Sequence, residues 1–264
     1  MRIVIIGAGN VATHLGLRLK QTGAEISQVY SRTEKSAKKL AEILDVPYCT
    51  ELSLINKDAE LYLYAVSDIA LQDIINQINT PEATHIHTAG SVSMNIFEKY
   101  AANYGVLYPL QTFSKDKEVD FKKIPLFLEG NNESTVQVLT NLATAISDIH
   151  FFADSEKRRL IHLSAVFACN FTNYMYLLAG EIASKAEIPY ELLLPLIEET
   201  ADKVNYLSPK EAQTGPAVRN DDITIQNHIT LLEYDHDAQE IYRLISTQIK
   251  RKFSQQCDIS VKII

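Results

Sequence analysis

The chain has 264 residues, 46% of them hydrophobic and 22% charged, which excludes a predominantly disordered protein and suits two domains of ordinary size. Its formal net charge of -8 gives the surface no general attraction for phosphate backbones, so no nucleic-acid partner is expected. The one basic run, Lys250-Arg251-Lys252, reads as the solvated end of a helix.

The first residues, Arg2 to Ile6, run straight into a strand with no charged leader, so export by a signal peptide is not expected. From there to about residue 152, short β-branched runs alternate with helical periodicity, the signature of parallel βαβ units. Strands are predicted at 2–6, 25–30, 60–66, 84–88, 104–108, 124–129 and 148–152, with helices at 10–22, 33–44, 68–79 and 132–147. Beyond Asp154 the pattern turns helical, with a further strand only conceivable in the last few residues. A long helix capped by Asp154 or Ser155 runs to about Lys185, another from near Pro189 to about Tyr206, and a polar stretch, Ser208 to Asp222, precedes two last helices. Asp237 with Glu240 reads as a capping box for the final one. The longest apolar stretch, Leu160 to Ala179, is broken by His162, Asn170 and Asn173, which favours a buried helix over a membrane span.

The first strand ends in Gly7-Ala8-Gly9-Asn10-Val11-Ala12, the G-x-G-x-x-A form of the dinucleotide fingerprint. Gly7 permits a tight turn, Gly9 lets backbone approach a pyrophosphate, Ala12 keeps helix near strand, and free N–H groups face the phosphates. A glycine turn can also be only a turn, but here it follows a strand and opens an amphipathic helix. The second strand ends in Ser31-Arg32-Thr33, where a site for NAD would carry an acid for the ribose hydroxyls. Arg32 suits a 2′-phosphate, with Ser31 and Thr33 as hydroxyl donors, so NADP(H) is the expected cofactor. An exposed loop with Thr33 capping the next helix is compatible with this.

The whole chain resembles the Rossmann-like proteins with a C-terminal module known as domain-of-unknown-function family 2520, relatives of pyrroline-5-carboxylate reductase and of the 6-phosphogluconate dehydrogenase group. The likeness lies in the glycine loop, Ala65 to Asp68, His87 to Ser91, Pro109 to Phe113, Ala165 to Asn170 and Thr214 to Arg219. It implies an NADP-dependent oxidoreductase, with cofactor along the strand ends, substrate against the helical domain, and a homodimer built through the helices. It names no substrate. The lysine that phosphogluconate-type relatives carry four residues before a helical asparagine is Val166 here, so that acid-base device is absent.

The expected fold is α/β: an N-terminal Rossmann-type, mostly parallel sheet (1–153) with a C-terminal all-helical domain for substrate and dimerisation (154–264). Val66, Ser67, Ala89, Gly90 and Ser91 follow strands at the carboxyl edge, where the nicotinamide should lie; ordinary strand-to-helix turns are the alternative. His162 and Asn170, eight residues apart, stand roughly 12 Å along a helix axis and about 80° around it. They could flank a substrate as proton donor and orienting amide, or satisfy buried backbone or a subunit contact. Arg219, braced by Asp221, could bind a carboxylate or merely brace a helix connection; His228 could join it. His85 and His87 share a strand face without acid or thiol partners, and Asp235-His236-Asp237 reads as a turn, so no metal site is expected. Three widely spaced cysteines, Cys49, Cys169 and Cys257, fit a reducing cytoplasm. The functional expectation is a reductase of a small, anionic keto or imino compound. The alternative is a non-catalytic NADP(H)-binding redox sensor or assembly protein.

Overall fold

A computed structural model describes residues 1–115 and 117–254. The strand conceivable in the last few residues lies outside the described ones. Among the described residues the strands are β1 (Arg2–Ile6), β2 (Glu25–Tyr30), β3 (Tyr48–Cys49), β4 (Leu61–Tyr64), β5 (Thr84–His87), β6 (Asn103–Pro109), β7 (Leu126–Gly130) and β8 (His150–Phe152). They form one sheet in the order β3-β2-β1-β4-β5-β6-β7-β8. Every pairing is parallel except β6 with β7, where Pro109 faces Leu126 and Gly105 faces Gly130. The mostly parallel α/β class expected from the sequence is therefore present, with one reversal that periodicity cannot show.

The period-two alternation of the strands divides the core. Ile3, Ile5, Leu61 and Leu63 join Leu107, Leu126 and Leu128 on one face, while Val4, Ile6, Tyr62 and Tyr64 pack with Phe97 on the other. The first face is covered by α1 (Asn10–Gln21), α2 (Glu34–Leu44) and α4 (Glu133–Ile146), whose Ala12, Leu15, Leu40, Leu44, Leu139 and Ile146 are buried there. On the other lie Leu71 and Ile75 of α3 (Asp68–Ile75).

After Phe152 the chain is helical: α5 (Ser155–Ala165), a π-helical segment (Val166–Phe171), α6 (Thr172–Lys185), α7 (Leu194–Lys203), the short α8 (Pro209–Ala212), α9 (Asp222–Leu231) and α10 (His236–Ser254). Asp154 caps α5, accepting from the Lys157 amide. The change from sheet to helices falls where the sequence puts it, but the compact units divide later, at Thr172 and Asn173. Arg158 ties α5 to the first unit: its guanidinium, with no exposed surface, donates to Glu129 of β7, to the Val92 carbonyl and to Ser155.

In the second unit Ala217, Ile225 and Ile229 form a small core with Tyr242 and Ile249. The final cap differs from expectation. Helix α10 begins at His236, and Asp235, not Asp237, accepts from the Ala238 amide at 3.0 Å; helix geometry selects the carboxylate one residue before the first turn.

Candidate active site

The glycine turn is built by the fit between β1 and β4. Gly7 has φ +116°, and a Cβ on it would stand 2.2 Å from the Ala65 carbonyl oxygen, so only glycine fits. Gly9 has an ordinary φ of -78° and opens α1 without any side-chain cap. A Cβ there would meet nothing within 4 Å, so nothing in the protein's own packing requires a glycine. The uncapped amides of the first turn and the open side of Gly9 fit an external pyrophosphate. Ala12 is fully buried against the sheet.

A cleft of about 560 Å³ opens at this turn, lined by Gly7 to Gly9, Tyr30 to Thr33, Ala65 to Ser67 and Lys115. Arg32 stands exposed at its rim, with Ser31 and Thr33 beside it. Thr33 stands at the cap position just before α2 but makes no side-chain capping bond, leaving its hydroxyl for a ligand. The three residues together offer one guanidinium and two hydroxyls to a phosphoryl group, and the cleft holds the glycine turn and this trio together.

A second cleft, about 460 Å³, opens beside the first residues of α1. Its wall includes Asn10, Val11, Tyr108, Leu110 to Phe113, His162 and Asn170. His162 and Asn170 both line it. The π-helical segment between them adds a residue to the turn, which sets the residues after it back by roughly 100° and so offsets the 80° separation of a regular helix. Tyr108, at the end of β6, bonds through its hydroxyl to Nδ1 of His162 at 3.1 Å, the rings meeting edge to face. Burial pushes the Tyr108 hydroxyl above its ordinary pKa, the Arg158 charge acting against that. It stays protonated at neutral pH, able to donate.

Several expected site residues serve this architecture indirectly. Gly90 lines neither cleft; a Cβ on it would stand 2.8 Å from the His162 ring and 2.9 Å from Cζ of Tyr108, so it makes room for that pair. Ser91 bonds Asp68, and the Ala89 amide donates to His87 Nδ1 at 3.2 Å. Asn10 spends its side-chain amide on the Phe113 carbonyl at 2.6 Å. Val66 and Ser67 line the first cleft.

Arg219 belongs to the second unit, where it is exposed and makes no ion pair among the described residues. Asp221 caps α9 instead, accepting from Thr224 N at 3.0 Å and its hydroxyl at 2.7 Å. His228 bonds Tyr242 at 2.8 Å. His85 is held by the Tyr64 hydroxyl at 2.8 Å and packs with His87 against Phe97, which accounts for both imidazoles as core groups.

The sequence reading missed Tyr108 and Lys115. A tyrosine closing a strand, directly before Pro109, at the edge where such folds bind ligands was an available signal; for Lys115 there was none.

Comparison with known proteins accords with this geometry. Residues 2–89 match the family described as NADP oxidoreductase, coenzyme F420-dependent, and residues 124–249 match a domain of unknown function, DUF2520. A Bacteroides fragilis protein, proposed by its name to be an NADP oxidoreductase, is 46% identical, with 95% of this chain and 98% of that one covered and a TM-score of 0.89. The Streptococcus pyogenes 1-pyrroline-5-carboxylate reductase (16% identity, 95% and 98% covered, TM-score 0.60) and an Aspergillus terreus reductive aminase solved with NADPH and ethyl-5-oxohexanoate (13%, 96% and 94%, 0.73) share the fold. No curated protein matches.

Proposed function

The chain belongs to the Rossmann-type NADP oxidoreductases that carry a C-terminal DUF2520 module, with NADP(H) as cofactor, and from that premise we propose that it reduces a small, anionic keto or imino compound. The observation that carries the proposal is the Tyr108–His162 pair in a cleft whose other wall is Asn10 and Val11 of the glycine loop. Bound NADPH supplies the hydride. The protein must then hold an acceptor carbon near the cofactor and deliver one proton. Tyr108 is suited to donate that proton to the developing alkoxide or amine, with the His162 ring orienting the hydroxyl and replacing the proton. The Asn170 and Gln111 amides and the Thr112 hydroxyl orient the substrate.

Following NADPH oxidation across keto acids and imino acids tests this. Tyr108→Phe and His162→Ala should each lower kcat with cofactor affinity unchanged, general acid-base groups contributing about 10²–10⁴-fold. A wild-type protein that binds NADPH tightly yet oxidises it with no carbonyl or imine would instead be a sensor or assembly protein.

A homodimer through the helices belongs to the same proposal. Leu160 and Phe167 in the first unit are each more than 60% exposed, as befits a helix face that a second copy covers, and Leu192 and Leu196 of the second unit are as exposed. Leu160→Glu/Phe167→Glu should convert a dimer to monomer in light scattering. No described helix is long and apolar enough to cross a membrane; a cytoplasmic location remains part of the proposal.

A further inference from the structure

The segment after β6 is fastened onto the start of α1. The Phe113 carbonyl accepts from Asn10 at 2.6 Å. The Ser114 carbonyl lies 2.8 Å from His14 Nε2, and since a carbonyl only accepts, that ring nitrogen carries the proton. The Phe113 ring stacks on His14, centroids 5.0 Å apart at 26°. These bonds deliver Lys115 to the glycine loop, where its ammonium donates to the Ala8 carbonyl at 2.9 Å while its side chain lines the cofactor cleft.

The ammonium has three donors, and the Ala8 carbonyl takes one. Among the described residues that line this cleft, the cations are Arg32, beside the end of β2, and Lys115, beside Ala8, and the carboxylate is Asp73. NADP(H) likewise carries two anionic centres, the 2′-phosphate and the diphosphate. The guanidinium stands where the ribose of a bound dinucleotide ends, and the ammonium stands beside the turn that cradles the diphosphate.

We propose that Lys115 binds the diphosphate of NADP(H), its ammonium joining the amides of the Gly7 to Ala12 turn while the strap from Gln111 to Lys115 holds it in place. The proposal rests on the cofactor assignment but not on any catalytic role. The strap makes one wall of the second cleft as well, through Gln111, Thr112 and Phe113, so cofactor and substrate share this element.

The two cations predict different signatures in fluorescence titrations of NADPH and NADH. Lys115→Gln keeps a group able to donate to Ala8 but removes the charge. It should weaken both nucleotides by the same factor, roughly tenfold for a charge-assisted bond from an exposed ammonium, with the loss shrinking as salt is raised. Lys115→Arg should restore most of the affinity. Arg32→Ala should weaken NADPH and leave NADH unchanged. Lys115 is exposed, and melting temperatures within a degree or two of wild type will show that its variants fold. Unchanged binding by Lys115→Gln overturns the proposal, as does a loss confined to NADPH, which would place the ammonium at the 2′-phosphate. If the wild-type protein bound neither nucleotide, the cofactor assignment would fall and this proposal with it.

Discussion

Replacing Glu129 by alanine leaves the Arg158 guanidinium inside the protein without a counter-charge. Arg158 has no exposed surface and Glu129 only 11%, and the Arg158 Nε already lacks a partner. Removing one member of so buried a pair costs about 3–5 kcal/mol, because an uncompensated charge remains. Across a unit of this size that lowers Tm by roughly 6 to 20 °C, measurable by calorimetry or circular dichroism. Glu129 also accepts from the Ser155 amide at 2.9 Å and from its hydroxyl, so the start of α5 loosens with it. Adding Arg158→Met to Glu129→Ala should recover most of the stability, since an apolar replacement of both partners is often neutral. Activity should stay low in the double variant, because α5 carries His162 to Tyr108. A Glu129→Ala protein within about 1 kcal/mol of wild type, or a double variant worse than the single, would refute the claim that this ion pair is buried and obligatory.

Two substitutions in the glycine loop should separate packing from ligand binding. Gly7→Ala is expected to destabilise by at least about 2 kcal/mol, from the left-handed backbone and the approach to the Ala65 carbonyl. Gly9→Ala should stay within about 1 kcal/mol while abolishing tight NADPH binding in titration. Acid should also destabilise the fold through His87. Burial, and then the Arg158 charge, pull its pKa down to about 3. Below the unfolded value near 6.5 the unfolded chain takes up a proton that the folded one refuses, so stability falls with pH from about 6.5 towards 3. The loss from this group is about 2 kcal/mol by pH 5, visible as a drop in urea midpoint that His87→Phe, if it folds, removes.

The sheet was legible because Ile3 to Ile6 and Leu61 to Tyr64 are apolar at every position, as strands buried on both faces must be. Tyr48–Cys49 is too short to leave a periodic trace. The direction of β7 is set by which backbone groups it pairs with, and side-chain pattern is blind to that. That Gly7, Gly9, Arg32 and Ser67 gather around one cleft could be read because each lies at a strand end. The use of Asn10 as a tether, of Gly90 as clearance for two rings, and of Lys115 as a loop cation depends on contacts between residues 18 to 107 positions apart. The π-helical segment was invisible for a related reason: Val166 to Phe171 is ordinary helix-compatible sequence, and the widened turn is a matter of hydrogen-bond offset.

The lone antiparallel pairing decides where the chain leaves the sheet. Because β7 descends while β6 ascends, Glu129 faces Val106, below Tyr108, and Ser155 starts its helix from that level, bonded to Glu129. Two turns later the same helix has climbed to the rim and brings His162 level with Tyr108. Had β7 continued the parallel direction, its last residues would have lain level with Tyr108, and a helix starting beside them would have climbed past that level. The reversal at β7, which β8 follows, thus works as a switchback, turning the chain's exit from the sheet back towards the cleft that Tyr108 and His162 line.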